Sequence, residues 1–333
     1  MGVHALLPPS AALRWMNCPP SARLEGEFPS AASEAAAEGT AAHALCEHKL
    51  RKLLHLRSKR PHSDFEDEEM ERCSDDYVAF VQEQMRKIPS PMTLVEQRLD
   101  LTRYVPEAFG TADCIIVGGD MLCVIDFKYG MGVLVEAERN PQMMLYALGA
   151  LHDFSLLYRF KTVKMTIVQP RVENISEFTC TADELLGWGE DVVKGKAAEA
   201  LGDEGTFVSG EHCRFCRAKY LCKARSEYYD FAYQAEDHKR DPRLIDRYML
   251  RMYLLHAKEL ARWAKDLQEY ALSECLKGNE IIGWKAVEGR GCRSFTDMDA
   301  AFAILEKEGV EECLLWERKP LTLAQVEAVV GKK

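Results

Sequence analysis

The sequence predicts a mixed α/β protein in which a sheet core is flanked by helices, and three observations favour that class. Short apolar runs bounded by turn residues are typical of strands. Segments rich in Ala, Leu, Glu and Lys are typical of helices. The two kinds of segment follow in the order helix, three strands, helix, strand, which differs from a repeating βαβ series. We therefore expect a compact α+β core with a mixed sheet.

Two helices are predicted ahead of the strands. Residues 31–58 have a helical composition, with Gly39 as the least favourable position. The acidic run Asp64–Glu71 is interpreted as a loop or the start of a helix. A second helix is predicted over Asp75–Lys87, ending before Pro89.

The core elements follow, joined at one point by hairpin residues. Gly118-Gly119-Asp120 supplies the glycine that a tight turn with positive φ requires. The predicted core consists of strands at Met92–Glu96, Thr111–Val117 and Met121–Lys128, a helix at Pro141–Leu151 and a strand at Val163–Gln169.

The C-terminal half is predicted to be mainly helical. Ala182–Leu201 is interpreted as a helix, and apolar residues recur at helical spacing over 241–277. From Asn279 onward we expect a strand-like piece at Ile281–Val287 and helices around Asp297–Glu308 and Leu323–Val330. The predicted organisation is a core domain at 1–230, a long helical segment at 231–278 and a small α/β domain at 279–333.

Composition indicates a soluble protein. The chain has 333 residues, 47% hydrophobic and 29% charged, without an apolar run long enough to cross a bilayer and without a signal peptide pattern. Its twelve cysteines therefore favour a reducing cytoplasm, where clustered thiols are more often ligands than disulfides. The net charge of −10 argues against coating nucleic acid by bulk charge, but leaves local sites for phosphate open.

One strand carries an acid and a base on the same face. Asp126 and Lys128 are two residues apart, and Asp113 lies on the neighbouring hairpin strand. Carboxylate oxygens suit Mg²⁺ or Mn²⁺, and a lysine beside them could orient a water or stabilise charge. Such a pair also occurs by chance on solvated strands, so the pattern alone leaves a structural role open.

Two helical pairs accompany this strand. Gln142 and Tyr146 are four residues apart, as are His43 and Glu47, so each pair shares a helix face. Taken alone, these residues are equally typical of packing, capping or a surface histidine.

Together the motifs resemble those of the PD-(D/E)XK nuclease superfamily, in its RecB-like branch. The resemblance covers roughly residues 10–225, and the chain also resembles an uncharacterised phage and prophage family within the superfamily. The four matching motifs are Gly39-Thr40-Ala41-Ala42-His43, Gly110-Thr111-Ala112-Asp113, Asp126-Phe127-Lys128 and Gln142-Met143-Met144-Leu145-Tyr146.

The resemblance implies a restriction-endonuclease-like core and a role for each matching residue. His43, Asp113, Asp126 and the backbone carbonyl of Phe127 would bind Mg²⁺ or Mn²⁺. Lys128 would serve the attacking water, while Gln142 and Tyr146 would position the DNA backbone or the site. Glu96 has no secure counterpart and is expected only as a supporting group. The catalytic residues implied are Asp113, Asp126, Lys128, Gln142 and Tyr146.

Four cysteines form a second pattern. Cys213, Cys216 and Cys222 have Cys-x2-Cys-x5-Cys spacing, and Cys18 lies far upstream in Asn-Cys-Pro. Four thiolates suit either Zn²⁺ or an iron–sulfur cluster. The pattern resembles that of AddB-type helicase–nucleases and of iron–sulfur CRISPR-adaptation exonucleases, which implies a 4Fe–4S cluster that ties both ends of the core together.

Basic residues interleave with these cysteines. They could bind DNA phosphates or form a solvated charged helix. They are Arg214, Arg217, Lys219, Lys223 and Arg225.

The function expected is a metal-dependent DNA nuclease, with exonuclease action favoured, that serves phage or prophage DNA recombination, replication or repair. DNA and a phage single-strand-binding or annealing protein are the expected partners, and no membrane is expected. Two alternatives stay open: a non-catalytic DNA-binding or scaffold protein with the same fold, and a zinc protein of unrelated function.

Overall fold

A computed structural model describes residues 6–28, 34–202, 205–234, 247–288 and 297–316. Its contacts divide the chain into two units, Met1–Tyr270 and Ala271–Lys333. The first contains the sheet and the cysteine segment.

Five strands form one mixed sheet in the order β1-β2-β3-β4-β5. The β1–β2, β2–β3 and β4–β5 pairs are antiparallel, and β3–β4 is parallel. The α+β class with a mixed sheet is thereby confirmed. The strands are β1 Met92–Asp100, β2 Phe109–Gly118, β3 Met121–Phe127, β4 Thr162–Gln169 and β5 Asn174–Thr181.

Helices surround the sheet. The helix predicted at Ala182–Leu201 is present as two α-helices joined by π-helical residues 189–193. The α-helices are α1 Ala12–Asn17, α2 Ser21–Leu24, α3 Glu34–Leu53, α4 Glu68–Lys87, α5 Pro141–Phe154, α6 Ala182–Trp188, α7 Lys194–Leu201, α8 Lys223–Gln234, α9 Arg247–Leu276, α10 Met298–Lys307 and α11 Glu312–Leu315.

Each face of the sheet contributes to a separate core. On one face, Ile115 and Val124 pack with α5. On the other, Ile116 and Phe127 pack with α3 and α4. Alternating strand residues therefore enter different cores, which explains why β2 and β3 are apolar almost throughout.

Two cysteines outside the four-residue pattern lie inside β2 and β3. Cys114 and Cys123 are buried, and burial raises the pKa of both thiols, that of Cys123 to about 11. They behave as small core residues, as expected from their lack of ligand spacing.

Local sequence explains where the helices next to the site begin. Asp67 caps α4 by accepting a hydrogen bond from Met70 N at 2.7 Å, so the acidic run starts this helix, seven residues before the predicted Asp75. Asn140 caps α5 in the same way and precedes Pro141 at the first helical position. The predicted hairpin turn is present, with Gly119 at φ +60°.

The remaining differences concern one strand and the C-terminal segments. β5 was not predicted. The strand-like piece predicted at Ile281–Val287 contains a turn with one isolated bridge, Ile281↔Trp284, and no longer ladder among the described residues. The helix predicted at Leu323–Val330, like the start of the segment at 241–277, falls outside the described residues.

Candidate functional site

Three carboxylates lie in one row across neighbouring strands. The pairs Val95↔Cys114 and Gln97↔Ala112 place Glu96 opposite Asp113. Continuing the β2–β3 register by one residue places Asp113 opposite Asp126. Residues opposite each other share a face of the sheet, and like charges in such positions are destabilising unless a cation compensates them. The row therefore concentrates negative charge at one place.

Asp113 and Asp126 are held by different partners. Asp113 Oδ2 accepts a hydrogen bond from Phe127 N at 2.7 Å. Asp126, with its side chain 3% exposed, lies 2.8 Å from Lys128 Nζ through Oδ2, yet that oxygen is buried and makes no hydrogen bond. Burial and the nearby Asp113 raise the pKa of Asp126. Burial also opposes the charge on Asp113, but His43 and Lys128 hold the pKa of Asp113 below its ordinary value.

Lys128 follows the last residue of β3. Its backbone N–H donates to Val168 O at 2.9 Å, which extends the β3–β4 ladder by one residue and keeps the side chain beside Asp126. Burial lowers the pKa of Lys128, but Asp126 and Asp113 outweigh it, so the pKa lies above its ordinary value. The ammonium group is therefore charged at neutral pH.

His43 reaches the row from α3. Its Nδ1 lies 3.3 Å from Asp113 Oδ1, and its ring meets the Phe127 ring edge-on with centroids 5.3 Å apart. Burial alone would lower the pKa of His43, but Asp113 raises it overall.

Glu96 belongs to the site more closely than the sequence indicated. His43, Glu96 and Asp113 each offer a ligand atom within 4.8 Å of the other two. Glu96 has φ +51°, a left-handed backbone that is strained for a residue with a Cβ. Burial, followed by the charge on Asp113, raises the pKa of its carboxyl to about 7. Asp126, expected as a ligand, is not a member of this closest set.

Gln142 joins α5 to the row. Its Nε2 donates to Asp126 Oδ1 at 3.3 Å and to Tyr146 Oη at 3.2 Å. Gly110, the glycine of the Gly110–Asp113 motif, lets Tyr146 approach: a Cβ at this position would lie 2.7 Å from Tyr146 Cε1. The spacing of both motifs thus has a packing reason.

An open cleft gives access to these groups. Gly39 and Thr40 of α3 form one wall, and Tyr129 and Gly130, which follow Lys128, form another. His43, Glu96, Asp113 and Lys128 line the same cleft. A large ligand could therefore approach the carboxylates from solvent.

The four cysteines line one small cavity of their own. Cys18, Cys213, Cys216 and Cys222 all contribute to it. The first three are buried. His212 joins them, and although burial opposes its charge, Cys18 and Cys213 raise the pKa of His212 to about 10. Burial raises the pKa of Cys216 to about 11.

The basic residues around the cysteines differ in exposure and in partners. Arg225 is 2% exposed and forms a buried ion pair with Asp266 at 2.7 Å, where Lys219 also binds. Arg217 donates to Phe28 O, and Arg214 donates to Gly132 O. In the described residues, Lys223 extends into solvent beside Glu227. Arg225 and Lys219 thus serve packing, whereas Arg217 and Lys223 are exposed.

No helix among the described residues is long and apolar enough to cross a membrane.

Two comparisons with known proteins bear on this chain. A solved structure titled "Crystal structure of SSO0001" is similar over 68% of this chain and 90% of its own, with 12% identity and a TM-score of 0.30, which is too low to support an argument. The family model described as "Protein of unknown function (DUF2800)" matches residues 4–333. The chain therefore belongs to the DUF2800 family.

Proposed function

We propose that this chain is a divalent-metal-dependent DNA nuclease of the RecB-like branch of the PD-(D/E)XK superfamily. One observation carries the proposal. Four charged or titratable side chains from three separate segments lie together at one site: His43, Asp113, Asp126 and Lys128. Hydrolysis of a phosphodiester requires compensation of developing charge and a held water, and these residue types supply both.

The residues fit a hard divalent cation. His43, Glu96 and Asp113 offer one nitrogen and two carboxylate ligands within reach of each other. The buried Oδ2 of Asp126, which lies 2.8 Å from Lys128 Nζ, is a further carboxylate oxygen beside them. Mg²⁺ or Mn²⁺ would be held by these groups, with the carbonyl of Phe127 as the further ligand that the resemblance implies. A bound cation would supply Lewis acidity and a water of lowered pKa.

Lys128 acts as a charged group in this proposal. Because its pKa is raised, it is a poor proton acceptor at neutral pH. Its role is to orient the attacking water and to stabilise negative charge on the phosphate.

Gln142 and Tyr146 keep the acid in place. The amide of Gln142 fixes one oxygen of Asp126, and Tyr146 in turn contacts Gln142. Burial raises the pKa of Tyr146, so its hydroxyl stays neutral and is suited to holding the amide or a phosphate oxygen.

A 4Fe–4S cluster is the cofactor proposed at the four cysteines, with Zn²⁺ as the alternative. Four thiolates suit either group, and the resemblance of the cysteine spacing favours the cluster. Assays of iron and acid-labile sulfide on anaerobically purified protein distinguish the two.

DNA is the proposed substrate, in phage or prophage recombination, replication or repair. A phage single-strand-binding or annealing protein is the proposed partner. Both follow from the motif resemblance.

The deciding experiment compares end-labelled linear DNA with closed circular DNA in the presence of Mn²⁺. We expect the linear form to be degraded. Lys128→Ala should lower the rate by about 10²-fold or more while DNA binding in Ca²⁺ is retained, because the ammonium acts on the reaction. Lys164→Ala, which removes a lysine from β4 that pairs with Glu177, is the control. If the wild type degrades no form of DNA but binds it, the scaffold alternative replaces this proposal.

A further inference from the structure

The segment after Lys128 lines the cleft without being a helix or a strand. Residues 128–135 have neither assignment, yet Tyr129 and Gly130 form a wall of the cleft. Met131 and Leu134 are 55% and 59% exposed, so burial of these side chains contributes little to holding the middle of the segment. Tyr129 is 3% exposed and fixes the start of the segment in the core beside α3 and α4, whereas the residues after it depend more on polar contacts.

Gln169 provides three of those contacts from inside. It is the last residue of β4 and is 1% exposed. Its amide donates to Gly130 O and, at 2.8 Å, to Val133 O, while its oxygen accepts from Val135 N at 3.2 Å. One buried amide thus satisfies backbone groups along most of the segment.

Asn174 donates to Val135 O at 2.9 Å, and Arg214 provides a further contact from outside. Its Nη2 donates to Gly132 O at 2.8 Å. A Cβ at Gly132 would lie 3.8 Å from the same nitrogen, so the guanidinium rests directly against this backbone. Arg214 lies between Cys213 and Cys216, so the cysteine segment reaches the wall of the cleft through this side chain.

We propose that Gln169 and Arg214 are positioning residues that hold segment 129–135 in place, so that Lys128 keeps its position beside Asp126. The inference rests on the proposed function and adds to it two residues outside the four motifs. Neither touches the carboxylates. Each acts through the backbone that continues from the reactive lysine, where small displacements are costly to rate.

Hydrogen exchange of peptides that cover 129–135 measures directly how strongly this segment is restrained, without reference to activity. We expect faster exchange in Arg214→Ala and in Gln169→Leu. Arg217→Ala is the matched control for the first, because it removes a cation of the same segment that donates to Phe28 O at 3.3 Å instead. Gln84→Leu matches the second, because Gln84 is a buried amide that binds Lys164. Arg214 is at the surface, so its variant tests the inference even if Gln169→Leu fails to fold.

Single-turnover cleavage of end-labelled DNA with Mn²⁺ tests the consequence. Arg214→Ala should be about tenfold slower than Arg217→Ala. Its DNA affinity in Ca²⁺ should equal that of Arg217→Ala, since both lose one positive charge. Arg214→Lys, which keeps a donor, should restore part of the rate, an effect that loss of general stability would not show.

Two results overturn the inference. Unchanged exchange of 129–135 in Arg214→Ala shows that the contact holds nothing, whether or not the protein cleaves DNA. Faster hydrogen exchange of 129–135 in Arg214→Ala with an unchanged cleavage rate shows that the restraint on this segment does not position Lys128. A wild type that cleaves no DNA instead overturns the proposed function. The exchange result then still shows whether Arg214 and Gln169 restrain segment 129–135.

Discussion

The pKa values of individual side chains at the cleft are explained by burial and by the charges that surround them. Glu96 and Asp126 have raised pKa values because burial and a neighbouring acid both oppose ionisation. Lys128 and His43 respond in the opposite sense, because the same acids favour their charged forms. A site with more buried negative charge than its own cations compensate is suited to bind a divalent cation.

Glu96 makes the stability of the metal-free protein depend on pH. Its carboxyl titrates near pH 7 in the folded protein, against an ordinary value of 4.5. Between these values the folded state binds more protons than the unfolded state, so the free energy of unfolding falls as pH rises from about 4.5 to about 7. We expect Glu96→Gln to be more stable than wild type at pH 8 in EDTA, and the difference to shrink towards pH 4.5.

Urea denaturation across this pH range measures the effect. Glu199→Gln is the control, because it removes an exposed carboxylate of α7 that pairs with Lys196. Excess Mn²⁺ should reverse the order at pH 8, since only the wild type can use this carboxylate as a ligand. A parallel pH profile for wild type and Glu96→Gln in EDTA would contradict the assignment.

At the scale of elements, the N-terminal parts of α3 and α4 are connected to the wall of the cleft. α3 carries His43 to the row of acids, and α4 packs beside α3 in the same core. Arg171, in the turn after β4, connects the N-terminal parts of both helices by binding Glu38 of α3 at 3.1 Å and Glu69 of α4 at 2.8 Å. Its guanidinium also covers the ring of Tyr129, with 4.5 Å to the centroid. The starts of both helices are thus tied to one wall of the cleft.

The cap at Asp67 should contribute measurably to the stability of α4. Its carboxylate satisfies Met70 N, one of the donors left open at a helix start. We expect Asp67→Ala to lower the free energy of unfolding by about 1 kcal/mol. Asp67→Asn keeps the acceptor and should cost much less. If Asn costs as much as Ala in denaturant titrations, the charge near the helix start, and not the hydrogen bond, provides the stabilisation.

At the scale of the first unit, a buried ion pair joins distant segments. Arg225 of α8 and Lys219 of the cysteine segment both bind Asp266 of α9. The rings of Tyr220 and Tyr270 stack beside them, with centroids 5.5 Å apart. The helical segment is therefore anchored next to the cysteines by groups that are largely removed from water.

Removing the acid of this pair should be costly. Asp266→Ala leaves the guanidinium of Arg225 buried without its carboxylate, and we expect a loss of about 3–5 kcal/mol. Glu259→Ala, about two turns earlier on α9, loses a partly exposed pair with Arg262 and should cost at most about 1 kcal/mol. Thermal and urea unfolding provide the comparison. Equal losses in the two variants would show that burial of the pair has no energetic effect.

Much of this protein follows from local sequence. Apolar runs predicted four of the five strands, and Gly119 predicted the hairpin, because strand and turn preferences depend on a few adjacent residues. Spacings of two and four residues also selected Asp126 with Lys128, and Gln142 with Tyr146, since backbone geometry alone puts such pairs on one face. β5 was missed because its alternating exposure reflects a place at the sheet edge, which neighbouring strands determine.

Tertiary structure decided the rest. Glu96 enters the site through the register between β1 and β2, which comes from packing across the sheet and leaves no local signal. The local sequence around Arg225 indicates a surface cation, whereas the fold places Asp266, 41 residues away, beside it. Gln169 and Arg214 meet the segment after Lys128 through contacts 36 and 82 residues apart in the chain. Short-range periodicity determines which residues share a face of a helix or strand, whereas only the folded chain determines which of these faces pack against each other.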